Sequence, residues 1–189
     1  YELPITPVNN PDGSQLDITV ELQGRTVFVQ VWKVKVGRIV VYLLDTDTPK
    51  NAVQDRNLTG QLYGGDRPYR LSQEIVLGVG GVRALRASGI NPTAWHINEG
   101  HATFLIIERI RELMRYLVSF DTAREVVRAS TIFTTHTAVP AGHDLFSEEL
   151  ITDFFTPMIT EMGIDLKALK DLAWDEERIV GWGFVWLLD

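Results

Sequence analysis

The chain has 189 residues, 45% hydrophobic and 23% charged, with 18 basic against 25 acidic side chains and a net charge of −7. This is the balance of an ordinary globular domain with a core of its own, and with no basic cluster it argues against nucleic acid or an anionic membrane as partner. Cysteine is absent, which excludes a disulfide scaffold, thiolate metal sites and a cysteine nucleophile and fits a cytoplasmic protein; no apolar run has the length of a membrane span.

The N-terminus, Tyr1-Glu2-Leu3-Pro4, carries neither an initiator Met nor a signal-peptide pattern, so the chain reads as a piece of a longer protein. Residues 1–13 are rich in Pro and Asn and end in Asn9-Asn10-Pro11-Asp12-Gly13, a turn signal. Leu16 to Glu21 alternates apolar and polar, Gln23-Gly24 follows, and Thr26 to Trp32 is β-prone, which predicts a hairpin. Ile39 to Leu44 is almost wholly apolar and predicts a strand covered on both faces, as in a parallel sheet. Asp45 to Pro68 has no clear period; so long a loop is often functional, and Gly64-Gly65 gives it freedom to move. Leu71, Ile75, Val79, Val82 and Leu85 predict a helix from Tyr69 to Ser88, stopped by Gly89. Gly78, Gly80 and Gly81 weaken it, and a helix keeps such glycines for close packing against a neighbour or a ligand.

Thr93 to Ile97 predicts a short strand. Ala102 to Leu117 predicts a helix with Phe104, Leu105, Ile107, Ile110, Leu113, Met114 and Leu117 as its apolar stripe. Asp121 is the expected cap of a helix through Ala129, Thr131 to Thr134 the next strand, Ser147 the cap of a helix carrying Leu150, Ile151, Phe154, Phe155, Met158 and Met162, and Asp165 the start of a short last helix. Three strands (Ile39 to Leu44, Thr93 to Ile97, Thr131 to Thr134) alternate with helices, which predicts βαβ units, an α/β class and a mainly parallel sheet. Ile179 to Leu188 is strongly apolar: either a last strand or a segment whose packing partner lies outside the chain.

All four histidines fall in two stretches, Trp95-His96-Ile97-Asn98-Glu99-Gly100-His101 and Thr134-Thr135-His136-Thr137-Ala138-Val139-Pro140-Ala141-Gly142-His143-Asp144. Each follows a β-prone run and precedes a helical pattern, at the carboxyl end of a strand, where open α/β sheets bind ligands. His96-x-x-Glu99-x-His101 has metal-ligand residue types, but its spacing is one residue longer than the zinc-peptidase patterns and Gly100 interrupts it. Three readings stay open on these residues: a metal-dependent hydrolase, a His101 helix cap beside a satisfied core His96, and a pocket in which Asn98, Glu99 and His101 hydrogen-bond a polar ligand. The hydroxyls around His136 suit a polyhydroxylated ligand such as a sugar. No Gly-x-Ser-x-Gly and no Walker-type Gly-Lys-Ser/Thr occurs, and none of the five lysines (33, 35, 50, 167, 170) has an apolar, pocket-like context for Schiff-base chemistry.

Five blocks in order carry a resemblance: Tyr42-Leu43-Leu44-Asp45-Thr46-Asp47; Leu62-Tyr63-Gly64-Gly65-Asp66; Arg70 to Glu74 running into Leu77 to Leu85; Trp95 to Ala102; and Phe133 to Asp144. Together they resemble the alpha-glucan (glycogen, starch and maltodextrin) phosphorylases, most nearly the bacterial short-type branch, over about residues 1–178. The resemblance implies an interior piece of the N-terminal, glucan-side domain: a Rossmann-like parallel sheet with flanking helices and an N-terminal β-hairpin, half of a GT-B architecture. Residues 179–189 depart from the family pattern as an atypical apolar tail. The activity implied is reversible phosphorolysis of terminal α-1,4-linked glucosyl units to glucose 1-phosphate, with pyridoxal phosphate (its lysine lying outside this chain) supplying the acid/base group. The resemblance assigns the catalytic positions to His136, in the glucosyl pocket, and Asp66, on a mobile gate loop. It places Asn98, Glu99 and His101 near the acceptor glucan, with His96 and Thr137 in support, and no metal. The partners implied are α-glucan or maltooligosaccharide, phosphate and a further copy of the chain, in the cytoplasm, the isolated chain being inactive. A non-catalytic glucan-binding or regulatory module is the alternative. Asp66→Ala is expected to leave folding intact, because loop residues carry few core contacts.

Overall fold

Two tight turns set the architecture of Tyr1–Asn91, the first of two compact units; the second is Pro92–Asp189. The computed structural model describes residues 4–62, 65–136, 144–172 and 182–183. The first unit contains strands Ile5–Pro7 (β1), Asp17–Leu22 (β2), Arg25–Val36 (β3) and Ile39–Asp45 (β4), and helices Val53–Arg56 (α1) and Arg67–Ala87 (α2). Gln23 (φ 49°) and Gly24 (φ 75°) turn β2 into β3, the doubly left-handed geometry whose twist suits a two-residue hairpin. Gly37 (φ 61°) opens the turn into β4. β3 is therefore central. β4 pairs along one edge, and β1 and β2 share the other. Val31 joins those two: its N–H donates to the Leu16 carbonyl (3.0 Å) and its carbonyl accepts from the Val8 N–H (2.9 Å).

The two faces of this antiparallel sheet differ. Ile18, Val20 and Leu22 of β2 and Val27, Val29 and Val31 of β3 are buried, and the direct partners Ile18↔Val29 and Val20↔Val27 form one apolar surface. α2 lies on it. At Gly80 a Cβ would sit 3.4 Å from Ile18 Cδ1, 3.5 Å from Val20 Cγ1 and 3.7 Å from Leu44 Cδ1, so this helical glycine faces the sheet. α2 starts two residues before the expected Tyr69, because Asp66 caps it: Oδ1 accepts from the Tyr69 N–H at 3.0 Å, with Pro68 in the first turn. Gly89 (φ 75°) ends it as expected, the Ile90 N–H returning to the Leu85 carbonyl.

On the opposite face the rows Ile5–Val34–Val41, Pro7–Trp32–Leu43 and Val36–Ile39 stand side by side. Ile39, Val40, Val41 and Leu43 are exposed, Ile39 by 64%. The expectation that Ile39–Leu44 is a parallel strand covered on both faces is therefore corrected. A continuous apolar run reports apolar faces, not strand direction; direction comes from the two-residue Gly37-Arg38 connection, which makes β4 antiparallel to β3. The loop after β4 is pinned over its first half. The buried Asn51 side chain accepts from the Phe28 N–H (2.8 Å) and donates to the carbonyls of Phe28 (2.7 Å) and Thr46 (2.8 Å). Arg25 forks onto the buried Asp55 at 2.9–3.1 Å. Gly64 falls outside the described residues, and Gly65 takes φ 79°.

The second unit contains Trp95–Asn98 (β5), a 3-10 turn Gly100–Ala102, Leu105–Met114 (α3), Phe120–Ala129 (α4), Thr131–Thr134 (β6), Leu145–Phe146 (β7), Glu148–Met162 (α5), Leu166–Lys170 (α6) and Trp182–Gly183 (β8). β5 and β6 pair in parallel, from Trp95↔Thr131 to Asn98↔Thr134, across the α3–α4 connection: a βαβ unit. β7 pairs antiparallel with β8; the rest of 179–189 lies outside the described residues. Phe104 stacks on Phe155 (centroids 4.9 Å apart) beside Phe146 (6.5 Å), with Ile97, Ile107, Ile110, Val127, Ile151 and Leu169 buried around them. On α3, Arg111 grips the fully buried Glu108 through two hydrogen bonds (2.5 and 2.8 Å) and reaches Glu161 on α5 at 2.7 Å. Arg115 shares Glu161 at 2.8 Å.

Two local expectations change here. Ser119, not Asp121, caps α4, accepting from the Thr122 N–H at 3.3 Å, which leaves Asp121 to favour the positive helix start from the first turn. Leu117 leaves the apolar stripe of α3: the chain turns after Met114 to reach Ser119, and Leu117 takes φ 62° and is 98% exposed. The chain is thus of mixed α/β class, and among the described residues no helix is long and apolar enough to cross a membrane.

Gly80→Ala should stabilise the chain by up to about 1 kcal/mol, since a methyl meets only ordinary contacts there and Ala is the better helix former. Gly80→Leu should destabilise it by about 1–3 kcal/mol through overpacking; thermal or denaturant unfolding of the two variants checks the opposed signs. For Glu161, burial pushes the carboxyl up, but the hydrogen bonds and charges of Arg115 and Arg111 outweigh it and hold the group below its usual range. Its contribution is therefore present above the ordinary carboxylate range and lost as pH falls through the depressed value. Glu161→Gln should lower stability at neutral pH by at most about 1 kcal/mol, as the side chain is 45% exposed, and melts at descending pH should converge with the parent.

Candidate functional site

Parallel pairing brings the carboxyl ends of β5 and β6 to one rim. Along β5, Trp95 and Ile97 are buried, so the alternating His96 and Asn98 stand on the exposed face. Arg109 of α3 fastens the other end of the pair. It donates to Thr131 Oγ1 (2.6 Å) and Ser130 Oγ (2.5 Å) and lies over the Trp95 ring, 4.9 Å from its centroid. The Trp95 N–H donates to the Ser130 carbonyl at 2.9 Å.

At the rim, side chains join the two strands, and the contact runs on into the residues that follow them. His96 Nε2 and Thr134 Oγ1 share a hydrogen bond of 2.7 Å across 38 residues of sequence. Glu99 takes φ 59° and ψ −177°, a region that costs a non-glycine residue about 1–3 kcal/mol and persists only where its surroundings hold it. Its N–H donates to the Thr134 carbonyl at 2.8 Å, one bond beyond the ladder. Its carboxylate accepts from the backbone N–H of His136 (2.6 Å, Oε1) and from the Thr135 hydroxyl (3.1 Å, Oε2). His136 Nε2 lies 3.1 Å from Asn98 Oδ1. A carbonyl oxygen only accepts, so in this contact the ring donates through Nε2–H to the Asn98 side chain.

The structure thus brings His96, Asn98, Glu99 and His136 together. His101 is half-buried in the 3-10 turn that follows, near the rim in sequence. Thr137 and His143 lie outside the described residues. Asp66 belongs to the first unit, exposed, as the cap of α2. The reading of His96 as a core histidine is corrected: alternation sets it on the solvent side, bonded to Thr134. α3 begins after Phe104 with no side-chain cap, so His101 does not cap it. Arg109 and Ser130 escaped the sequence reading; the available signal was an arginine set between Ile107 and Ile110 on the inward side of an amphipathic helix, where a buried cation needs partners. Chemically the rim offers, among the described residues, the imidazoles of His96 and His136, an amide, hydroxyls and the Glu99 carboxylate. These groups can orient hydroxyls without adding much charge.

No family model matches the chain. The chain is 47% identical to the maltodextrin phosphorylase of Thermococcus litoralis over 145 residues, 77% of the chain and 17% of that protein. It is 47% identical to the glycogen phosphorylase of Mycobacterium tuberculosis over 156 residues, 79% of the chain and 18% of that protein. It is 33% identical to the glycogen phosphorylase of Aquifex aeolicus over 175 residues, 93% of the chain and 25% of that protein. The chain therefore spans a quarter or less of the length of these relatives.

Because Asp66 caps a helix, Asp66→Ala should cost about 1 kcal/mol, against the expectation of intact stability drawn from a loop position. Asp66→Ser, which also caps, should restore the melting temperature. An unchanged melt in Asp66→Ala would show that the cap contributes nothing.

Proposed function

The chain belongs to the alpha-glucan phosphorylase family, and from that membership we propose that it supplies part of the glucan side of an enzyme that reversibly phosphorolyses terminal α-1,4-linked glucosyl units to glucose 1-phosphate. The observation that carries the proposal is the 47% identity to a maltodextrin phosphorylase across 77% of the chain. On this reading residues 1–178 are part of one Rossmann-like half of a GT-B enzyme, and β5–α3–α4–β6 is its ligand-bearing βαβ unit. The enzyme works in the cytoplasm on α-glucan or maltooligosaccharide and phosphate. His136 receives the glucosyl unit, and Asn98, Glu99, His101, His96 and Thr137 belong to the surrounding glucan site. Asp66 lies on the gate.

The rim supports this reading in chemical terms. Breaking a glycosidic bond builds positive charge on the sugar ring. The His136 imidazole, held at one nitrogen by the Asn98 amide, leaves its other nitrogen for a sugar hydroxyl, and the amide and hydroxyl dipoles around it position the ring as that charge develops. Pyridoxal phosphate supplies the acid/base group when bound in the family, and the residues described here do not fit it. Lys50 pairs with Asp17, Lys167 with Asp171 and Lys170 with Glu148, and Lys33 and Lys35 are exposed on β3. None is desolvated as a Schiff-base lysine requires. The cofactor's lysine and the phosphate site accordingly belong to polypeptide beyond this segment, and the isolated 189-residue chain is inactive.

The test is phosphate-dependent release of glucose 1-phosphate from maltooligosaccharide by the full-length polypeptide carrying these residues. His136→Ala should lower turnover by about 10²-fold or more while the melting temperature stays near the parent's, since the ring is exposed and outside the core. Unchanged release would remove His136 from the site, and absence of any phosphorolysis in the parent would overturn the proposal.

A further inference from the structure

Resting on the phosphorolysis reading above, we propose that Glu99 is a positioning residue that acts through His136, a strap that sets the path of the turn after β6, and not a group that touches the sugar. Glu99 engages three consecutive residues, Thr134 at the end of β6 and the first two residues of the turn. Its N–H holds the Thr134 carbonyl (2.8 Å), one carboxylate oxygen the Thr135 hydroxyl (3.1 Å), and the other the His136 backbone N–H (2.6 Å). The last is a short, charge-assisted bond to an ionised acceptor, of the stronger kind. Both oxygens thus face the neighbouring turn.

The backbone explains how the side chain reaches there. At φ 59° and ψ −177° the chain leaves β5 in a direction a regular strand cannot take. The conformation is strained for a residue with a Cβ, and the three bonds to the second turn are what offset it. Asn98, one residue earlier, stays in the strand register and meets the ring of the same histidine through Oδ1. The pair Asn98-Glu99 therefore fixes His136 twice, the amide holding the ring and the carboxylate setting the main chain beneath it. Displacing a reacting-site group by about 1 Å costs on the order of 10²-fold in rate, so the effect of losing the strap is felt in turnover.

The test has two parts. In the 189-residue chain, the amide proton of His136 is followed by NMR through the acid range where carboxylates protonate. Its shift should titrate in the parent and go flat in Glu99→Gln, with the Trp95 and Ile97 amides unmoved in both. A flat His136 amide in the parent, or a titration that survives Glu99→Gln, overturns the strap. Should Glu99→Gln fail to fold, the parent titration compared with Thr135→Val, which leaves the His136 bond in place and should keep the titration, decides the same point. In the full-length polypeptide, Glu99→Ala should lower kcat by about 10²-fold with KM for maltooligosaccharide near the parent's. Glu99→Gln, which keeps one acceptor oxygen, should recover part of the loss. Combining Glu99→Ala with His136→Ala should be no worse than His136→Ala alone. A raised KM with kcat kept, or losses that add, would make Glu99 a sugar contact and overturn the inference. A parent polypeptide without phosphorolysis would instead sink the functional reading, and the NMR titration would still report on the strap itself.

Discussion

The register of one short parallel pair, Trp95↔Thr131 through Asn98↔Thr134, is the constraint on which the rest of the second unit depends. Two histidine-bearing stretches far apart in sequence face one another only because their strands run the same way and end level. A slip of one residue would send Asn98 and His96 to the buried face and Ile97 to solvent. Four residue pairs make a weak ladder, and parallel pairing is the less stable kind per residue. The register is accordingly enforced from outside the ladder. Arg109 clamps both strand starts through Ser130, Thr131 and the Trp95 ring, and Glu99 and Asn98 clamp the strand ends.

The helices then hold those clamps in place. Arg109 sits on α3, whose other inward cation, Arg111, is paired with a carboxylate that has no contact with water. Removing Arg111 would take from the buried Glu108 carboxylate both guanidinium hydrogen bonds, and removing Glu108 would leave Arg111 with the half-exposed Glu161, so the pair favours the docked position of α3. Arg111 and Arg115 meet at Glu161, which ties α3 to α5 beside the stacked Phe104 and Phe155 rings. The polar rim is thus backed by an aromatic core and by cations with assigned partners. Among the described residues of the rim, the strained backbone is that of Glu99, which makes three bonds to the end of β6 and the turn after it.

Much of this order is legible from residues alone, for definite reasons. Gln23-Gly24 announces the first hairpin because two β-prone runs flank a short turn that holds a glycine, and Gly24 takes its positive φ without a Cβ to oppose it. Ser147 and Asp165 begin their helices as expected, each accepting from a backbone N–H three residues on. The two histidine stretches fall at strand ends because strands alternating with helices leave little other choice. The failures are equally physical. The apolar content of Ile39–Leu44 says nothing of strand direction, which the Gly37-Arg38 turn decides. Asp66 carries no apolar signal of its helix because a cap precedes the period it serves. The φ of Glu99 has no sequence signature; a glutamate in that region is invisible until its partners across the sheet are known. The likeness to phosphorylases named the rim residues, and the geometry alone tells which of them speak to each other.

The measurement closest to the central claim uses the absence of cysteine in this chain. Two thiols can be placed with no competing partner, one at Asn98→Cys and the other at either Thr134→Cys or Thr131→Cys, and joined with a short bifunctional thiol reagent. Parallel pairing predicts efficient linkage of 98 with 134 and little of 98 with 131. Preferential linkage of 98 with 131, or linkage of neither pair in the folded chain, would separate the two histidine stretches and contradict the account.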